Sequence, residues 1–315
     1  MEKNSLVIGS RGSRLALTQA HIVRDSLLKV YPELNIEIKT IKTTGDKILD
    51  APLSKRGMPH FVRDKGLFTK EIEETLIEGK IDLAVHSMKD LPTDLPDGLK
   101  IGAVSKRENA CDVLVTMRGI DGLDNLPKKA KVGTSSLRRR AQLLNKRDDL
   151  EILDLRGNLD TRIKKLEDGL YDAIILAYAG VKRLNLKLNM SQIAIDHILP
   201  QAGQGALGIE IRERDSSTEG KVKILDDPET HMCVSAERAL LAVLGGGCQV
   251  PIGVYAQISN EELKIHAGVF SLDGKKAVRN KIRGQGKDAE MLGSDLGGIL
   301  LKNGAKSILD EVYNG

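Results

Sequence analysis

The strongest constraint on this chain is an internal echo. Ile8-Gly9-Ser10, followed by Arg11 and Arg14, returns as Val132-Gly133-Thr134, followed by Arg138 and Arg139. Gly79-Lys80-Ile81-Asp82, leading into an apolar strand, returns as Gly169-Leu170-Tyr171-Asp172 before Ala173-Ile174-Ile175-Leu176. A buried strand, a Gly/Ser turn and an amphipathic helix, stated twice, predict two similar α/β lobes. Ser13 is placed as an N-cap, with Ala16, Ala20, Val23 and Leu27 following at helical spacing. Thr69 to Glu78 reads as a helix and Ile81 to Val85 as a buried strand, with His86-Ser87-Met88-Lys89-Asp90 at its carboxyl end. Strands alternating with helices predict parallel sheets covered on both faces. Ligands of such sheets bind at the carboxyl ends of strands, so the expected site is a cleft between the lobes.

The last third changes character. A helix carrying Ser235 to Leu244 runs into Gly245-Gly246-Gly247-Cys248, and three strand-like runs follow: Ile252 to Ile258, Leu263 to Val269 and Ala277 to Ile282. They predict an antiparallel meander, closed by helices near 288–302 and 305–312. The expected domains are residues 1–105 with about 200–224, residues 106–199, and a small α+β domain over 225–315. A length of 315 residues is too great for one ordinary core, which agrees with that division.

Composition removes several functional classes. Aromatics make up 3% of the chain and Trp is absent, so stacking platforms for nucleic acid are not expected. A net charge of +4 is too small to imply a polyanion by itself. No secretory h-region precedes Leu6 and no run is long enough to span a membrane, so a cytoplasmic protein is expected. Cys111, Cys233 and Cys248 are widely spaced and form no CxxC pair, so neither a disulfide frame nor a metal site is expected.

The residues that could carry chemistry gather at strand ends. Arg11 follows the first strand, and Arg138, Arg139 and Arg140 follow the hydroxyl-rich Gly133-Thr134-Ser135-Ser136. Arg156-Gly157-Asn158, Arg162 and Arg183 follow further strands. Guanidinium forks match carboxylates and phosphates, so this set suits a multiply anionic small molecule. Solvated surface arginines are the plain alternative. Asp90, beside Lys89, reads either as an ionised group facing the site or as a turn residue before Leu91-Pro92. His86 is assigned to support of that turn. Cys248, on an open glycine loop, is placed for chemistry more than for packing, although cysteine is also a common buried residue. A noncatalytic two-lobed binding protein and a cysteine-dependent acyl transferase are the competing readings.

Taken together, Ile8 to Leu17 (IGSRGSRLAL), Gly66-Leu67-Phe68, Val85 to Pro92 (VHSMKDLP), Gly133 to Arg139 (GTSSLRR), Leu155 to Asn158 (LRGN), Asp172 to Leu184 (DAIILAYAGVKRL), Gln204-Gly205-Ala206 and Gly246 to Gly253 (GGCQVPIG) resemble the porphobilinogen deaminase, or hydroxymethylbilane synthase, family. The resemblance runs over essentially the whole chain. It implies a transferase of tetrapyrrole (haem and porphyrin) biosynthesis that joins four porphobilinogen molecules, and a fold of two periplasmic-binding-protein-like lobes plus a small α+β domain. It further implies a dipyrromethane cofactor in thioether linkage to Cys248, and Asp90 as the catalytic carboxylate that stabilises the azafulvene cation left by loss of ammonia. By motif, Ser13, Lys89, Ser136, Arg138, Arg139, Gly157 and Arg162 would hold the cofactor, while Arg11, Arg156 and Arg183 would hold substrate. Monomer is the family expectation. One departure is Met58 to Asp64, which reads as an insertion in the active-site lid.

Overall fold

The computed structural model describes residues 4–46, 68–246 and 250–314. The first stretch runs β1 (Ser5–Arg11), α1 (Arg14–Val30), β2 (Asn35–Ile41), α2 (Lys70–Ile77), β3 (Leu83–Ser87) and β4 (Leu99–Val104). Next come β5 (Asp112–Thr116), β6 (Lys131–Gly133), α3 (Leu137–Lys146), β7 (Glu151–Leu153), α4 (Leu159–Glu167), β8 (Ala173–Ala177), α5 (Tyr178–Arg183) and β9 (Met190–Ile193). The chain then returns through β10 (Leu207–Arg212) and α6 (Ser216–Val222). It ends with α7 (Pro228–Val243), β11 (Ile252–Ser259), β12 (Glu262–Phe270), β13 (Ala277–Gln285), α8 (Ala289–Leu300) and α9 (Lys306–Asn314).

Contacts divide the chain into two compact units, Met1–Lys106 with Ala206–Asp227, and Arg107–Gly205 with Pro228–Gly315. Each unit holds one five-stranded sheet, in the orders β2-β1-β3-β10-β4 and β7-β6-β8-β5-β9. The pairing sense matches strand for strand. β1 is parallel to β2 and β3, as β6 is to β7 and β8, while β10 and β5 lie antiparallel to both their neighbours. The sheets are therefore mixed rather than parallel. The fourth strand of each is supplied by chain that has just crossed from the other unit, not by a βαβ crossover.

The echo survives at the level of single hydrogen bonds. Asp82 Oδ2 accepts the Val7 N–H at 2.8 Å while the Asp82 N–H donates to the Val7 carbonyl at 2.8 Å. Asp172 does the same with Lys131, at 2.8 and 2.9 Å. Gly79 (φ 72°) and Gly169 (φ 74°) end the preceding helices in the left-handed region, where a side chain would be strained. Ser13 and Ser136 each cap a helix, accepting from the N–H of Ala16 (3.3 Å) and Arg139 (3.4 Å). Such caps contribute about 1 kcal/mol apiece.

In the second unit the antiparallel sheet β11-β12-β13 buries one face against α7 and α8, through Leu240, Val254, Ile265, Leu296 and Leu300. α7 and α8 approach closely because a Cβ on Gly293 would overlap the Ala236 carbonyl. The contacts thus group the C-terminal residues with the second lobe. Glu237, fully buried on α7, receives both Arg107 terminal nitrogens at 2.8 and 2.7 Å, the Gly203 N–H at 2.7 Å and the Ala256 N–H at 2.8 Å. One carboxylate ties four segments of that unit.

Candidate active site

In the first unit, β1 and β3 are adjacent and parallel, so Arg11 and the turn after Ser87 share their carboxyl-end edge. The strand ends two residues later than periodicity predicts, and a single 3-10 turn, Met88–Asp90, follows it. That turn is rooted firmly. The Met88 N–H donates to the Ala206 carbonyl at 3.0 Å, and Gln19 Nε2 donates to Ser87 Oγ at 2.8 Å. A Cβ at Gly208 would come within 2.8 Å of the Met88 sulfur, so only glycine lets β10 pass beneath it. His86 is buried, with Nε2 3.1 Å from Glu210 Oε2, and so serves the strand rather than the surface. Burial, with Glu210 nearby, pushes the Glu73 carboxyl up in the same layer. Lys89 is half-buried. Asp90 is exposed, and among the described residues its carboxylate meets no hydrogen bond or ion pair.

Arg11 is half-buried and committed. Its guanidinium meets Asp46 at 2.5 Å and lies 4.1 Å from the centre of the Phe68 ring. Burial works against the Asp46 charge, but hydrogen bonds from Arg11 and Thr43 outweigh it and hold that carboxyl below the usual range.

In the second unit Arg156 stands in a loop, but the other site arginines stand on helices. Arg138 and Arg139 lie in the first turn of α3, Arg162 within α4, and Arg183 at the end of α5. Arg138 and Arg139 are buried, at 3% and 5% exposure, and both are turned onto Asp112. Arg138 reaches its Oδ2 at 2.8 Å and Arg139 its Oδ1 at 2.7 Å, while Gln204 Nε2 adds a third contact at 2.9 Å. Burial opposes the Asp112 charge, yet the two guanidiniums hold its carboxyl far below the ordinary range. The remaining terminal nitrogens reach the Leu199 carbonyl at 2.6 Å and the Ile175 carbonyl at 3.0 Å. Two cations around one anion leave a net positive charge beside the Ser136 cap.

Arg156 is exposed, and its guanidinium has no partner among the described residues. Arg162 Nε donates to the Gly157 carbonyl at 2.8 Å, and Gly157 has φ 113°, where a Cβ would also strike Thr161. Arg183 donates to the Gly205 carbonyl at 2.6 Å, and burial pushes its guanidinium down to about 10, which leaves it a cation at neutral pH. Sequence reading missed Asp112, Arg107 and Glu237, and named Gln204 within a motif without giving it a role. The one available signal for Asp112 is a lone charge opening the apolar run Val113-Leu114-Val115.

Cys248 and the segment Met58 to Asp64 lie outside the described residues. Cys111 and Cys233 are buried, which pushes their thiols up to about 11 and about 12 and leaves them unreactive at neutral pH. Among the described residues no group of three metal-ligating side chains is found, and no helix is long and apolar enough to cross a membrane. The donor set fits a polycarboxylate cofactor. Among the described residues the Arg156 guanidinium has no partner, and the Nε atoms of Arg138 and Arg139 are buried without an acceptor.

The first unit thus presents an open aspartate on an anchored turn, and the second a set of guanidiniums of the kind that matches carboxylates. The family described as "Porphobilinogen deaminase, dipyromethane cofactor binding domain" matches residues 6–220, and "Porphobilinogen deaminase, C-terminal domain" matches residues 231–302. The porphobilinogen deaminase of Chlorobaculum tepidum is 50% identical over 314 residues, covering 98% of each chain. That of Chlorobium chlorochromatii is 50% identical over 315 residues, with the same coverage. The chain belongs to the porphobilinogen deaminase family. Among solved structures, an ancestral arginine-binding protein bound to arginine is 15% identical with a TM-score of 0.38, covering 71% of this chain and 91% of that one. An alkanesulfonate-binding protein from Xanthomonas axonopodis is 16% identical with a TM-score of 0.39, covering 76% and 75%. The fold rests on the strand orders themselves.

Proposed function

We propose that the protein is a porphobilinogen deaminase that joins four porphobilinogen molecules head to tail into hydroxymethylbilane. At each coupling the amino group of the aminomethyl arm leaves as ammonia, the methylene it leaves behind forms a carbon–carbon bond to the free ring carbon of the neighbouring pyrrole, and that carbon loses its proton. Water releases the linear product. The observation that carries this reading is the family match over both lobes and the C-terminal domain.

Asp90 is assigned as the catalytic carboxylate. Its open oxygens can accept from pyrrole N–H groups and oppose the positive charge that grows as ammonia departs. The buried anchoring of Ser87 and Met88 fixes its backbone, so little reorganisation is needed at each round. Arg11, Arg156 and Arg183 are assigned to substrate acetate and propionate groups. Ser13, Lys89, Ser136, Arg138, Arg139, Gly157 and Arg162 are assigned to the dipyrromethane. When bound, that group supplies a covalent anchor for the growing chain, through a thioether to Cys248. Arg138 and Arg139, already shared by Asp112, present together about the charge of one cation. The reading includes a cytoplasmic monomer, without nucleic acid or membrane partners, and the domain division 1–105 with about 200–224, 106–199 and 225–315.

The test is intact mass under denaturing conditions, mapping of the Cys248 peptide, and assay of ammonia and hydroxymethylbilane on addition of porphobilinogen. The reading expects the mass of two linked pyrroles on Cys248 and turnover. An unmodified Cys248 after incubation with porphobilinogen, with no ammonia released, would overturn it.

A further inference from the structure

The C-terminal sheet carries a cationic groove that none of the assignments above uses. Strand register places Tyr255, His266 and Lys281 on one rung and Gln257, Lys264 and Arg283 on the next. The two-residue period turns all of them away from the core residues Ala256 and Ile265. Residues 194–196 run along the same face, and together they line an open groove of about 610 Å³. Ile195 and Tyr255 give it apolar surface, and Lys264, Lys281 and Arg283 give it charge.

Those cations are only partly answered. Asp196 Oδ1 lies 3.0 Å from His266 Nδ1 and 3.5 Å from Lys281 Nζ, and Glu262 meets Lys264 at 3.2 Å. Among the described residues the Arg283 guanidinium has no partner. Burial, and then Lys281, push His266 below its ordinary value, so the imidazole adds no charge at neutral pH. Lys264 and Arg283 stand directly opposite one another, a like-charge pairing that destabilises a sheet. Cations on β13 alone would be explained by protection of an edge strand. Lys264 is on the central strand, and that explanation does not reach it.

We propose that this groove is a second, noncatalytic binding site for a pyrrole dicarboxylate of the porphobilinogen type. Arg283 and Lys264 take one carboxylate, Lys281 takes the other, and Asp196 accepts the pyrrole N–H with the ring against Ile195 and Tyr255. The groove's volume is in the range of small-molecule sites, roughly 300–1,000 Å³. A carboxylate between Lys264 and Arg283 offsets the repulsion of this like-charge pair. Binding there is reversible and makes or breaks no covalent bond. The choice of ligand rests on the function proposed above.

The probe is porphobilinogen lacking its aminomethyl group, which keeps both carboxylates and the N–H but has no leaving group. Equilibrium dialysis against the holoenzyme is expected to give two sites per chain. The double variant Lys281→Glu/Arg283→Glu is expected to keep one, with affinity at the other reduced at least about tenfold, and to keep kcat at saturating porphobilinogen. Lys281→Met/Arg283→Met serves as a second variant in case charge reversal harms folding. Equal stoichiometry in wild type and a folded variant, with ammonia release intact, overturns the groove and leaves the proposed function standing. Succinate binding as tightly as the pyrrole at this site overturns the ligand class. Absence of ammonia release by the wild type is instead a failure of the proposed function, and the dialysis still reads the groove by itself.

Discussion

Asp112 shows how one side chain can set the charge of a whole strand end. It is fully buried and answers Arg138, Arg139 and Gln204. Removing a buried partner of this kind leaves charges uncompensated, so Asp112→Asn is expected to cost about 3–5 kcal/mol, read from urea unfolding at pH 7. The folded carboxyl titrates below the unfolded value of about 3.9, so its contribution is complete above that pH. It is lost as pH falls toward the folded value. The wild type should therefore weaken progressively in acid, and the variant should have a shallower acid limb. An unchanged acid limb in the variant would count against this account. Asp90 is the opposite case, an exposed carboxylate that the fold does not need. Asp90→Asn is expected to lower kcat by roughly 10²–10³-fold while the free energy of urea unfolding stays within about 0.5 kcal/mol of wild type. A variant with normal turnover would remove Asp90 from catalysis.

At the scale of elements, helix α8 carries two glycines with opposite expectations. Gly293→Ala must push a Cβ into the Ala236 carbonyl and is expected to destabilise by about 1–3 kcal/mol. Gly298 has open space around its Cβ position, so Gly298→Ala is expected to stabilise by up to about 1 kcal/mol through helix propensity. Thermal melts of the two variants should move in opposite directions, and a shared direction would refute the packing argument. The same dependence on partners explains what could be read in advance. α1, the second half of α7 and the meander β11 to β13 were legible because their apolar period is local. β4, β5, β9 and β10 were not, since each is defined by strands far away in sequence. At the site, Arg156 was legible as an open cation. Arg138 and Arg139 were legible as residues of interest, but their burial depends on Asp112 and Leu199, which no spacing reveals. The register also places Gly180 of the second lobe where Asp90 stands in the first, so the doubled architecture carries this aspartate once.

For the molecule as a whole, Glu237 gathers Arg107, Gly203 and Ala256 onto α7. Glu237→Ala strips the partner from a nearly buried guanidinium and is expected to cost about 3–5 kcal/mol. Limited proteolysis should then cut the C-terminal residues before the two sheets unfold, and simultaneous loss of all three would argue against a local role. The strand orders have a further consequence, for the order in which the molecule can be made. β5 to β9 complete their sheet once residue 193 is available, but the earlier sheet lacks the strand between β3 and β4 until β10 arrives at residues 207–212. On the ribosome, the lobe translated second can therefore finish first. The nascent amino-terminal strands wait with open edges, and the turn that bears Asp90 gains its floor only when roughly two-thirds of the polypeptide has emerged.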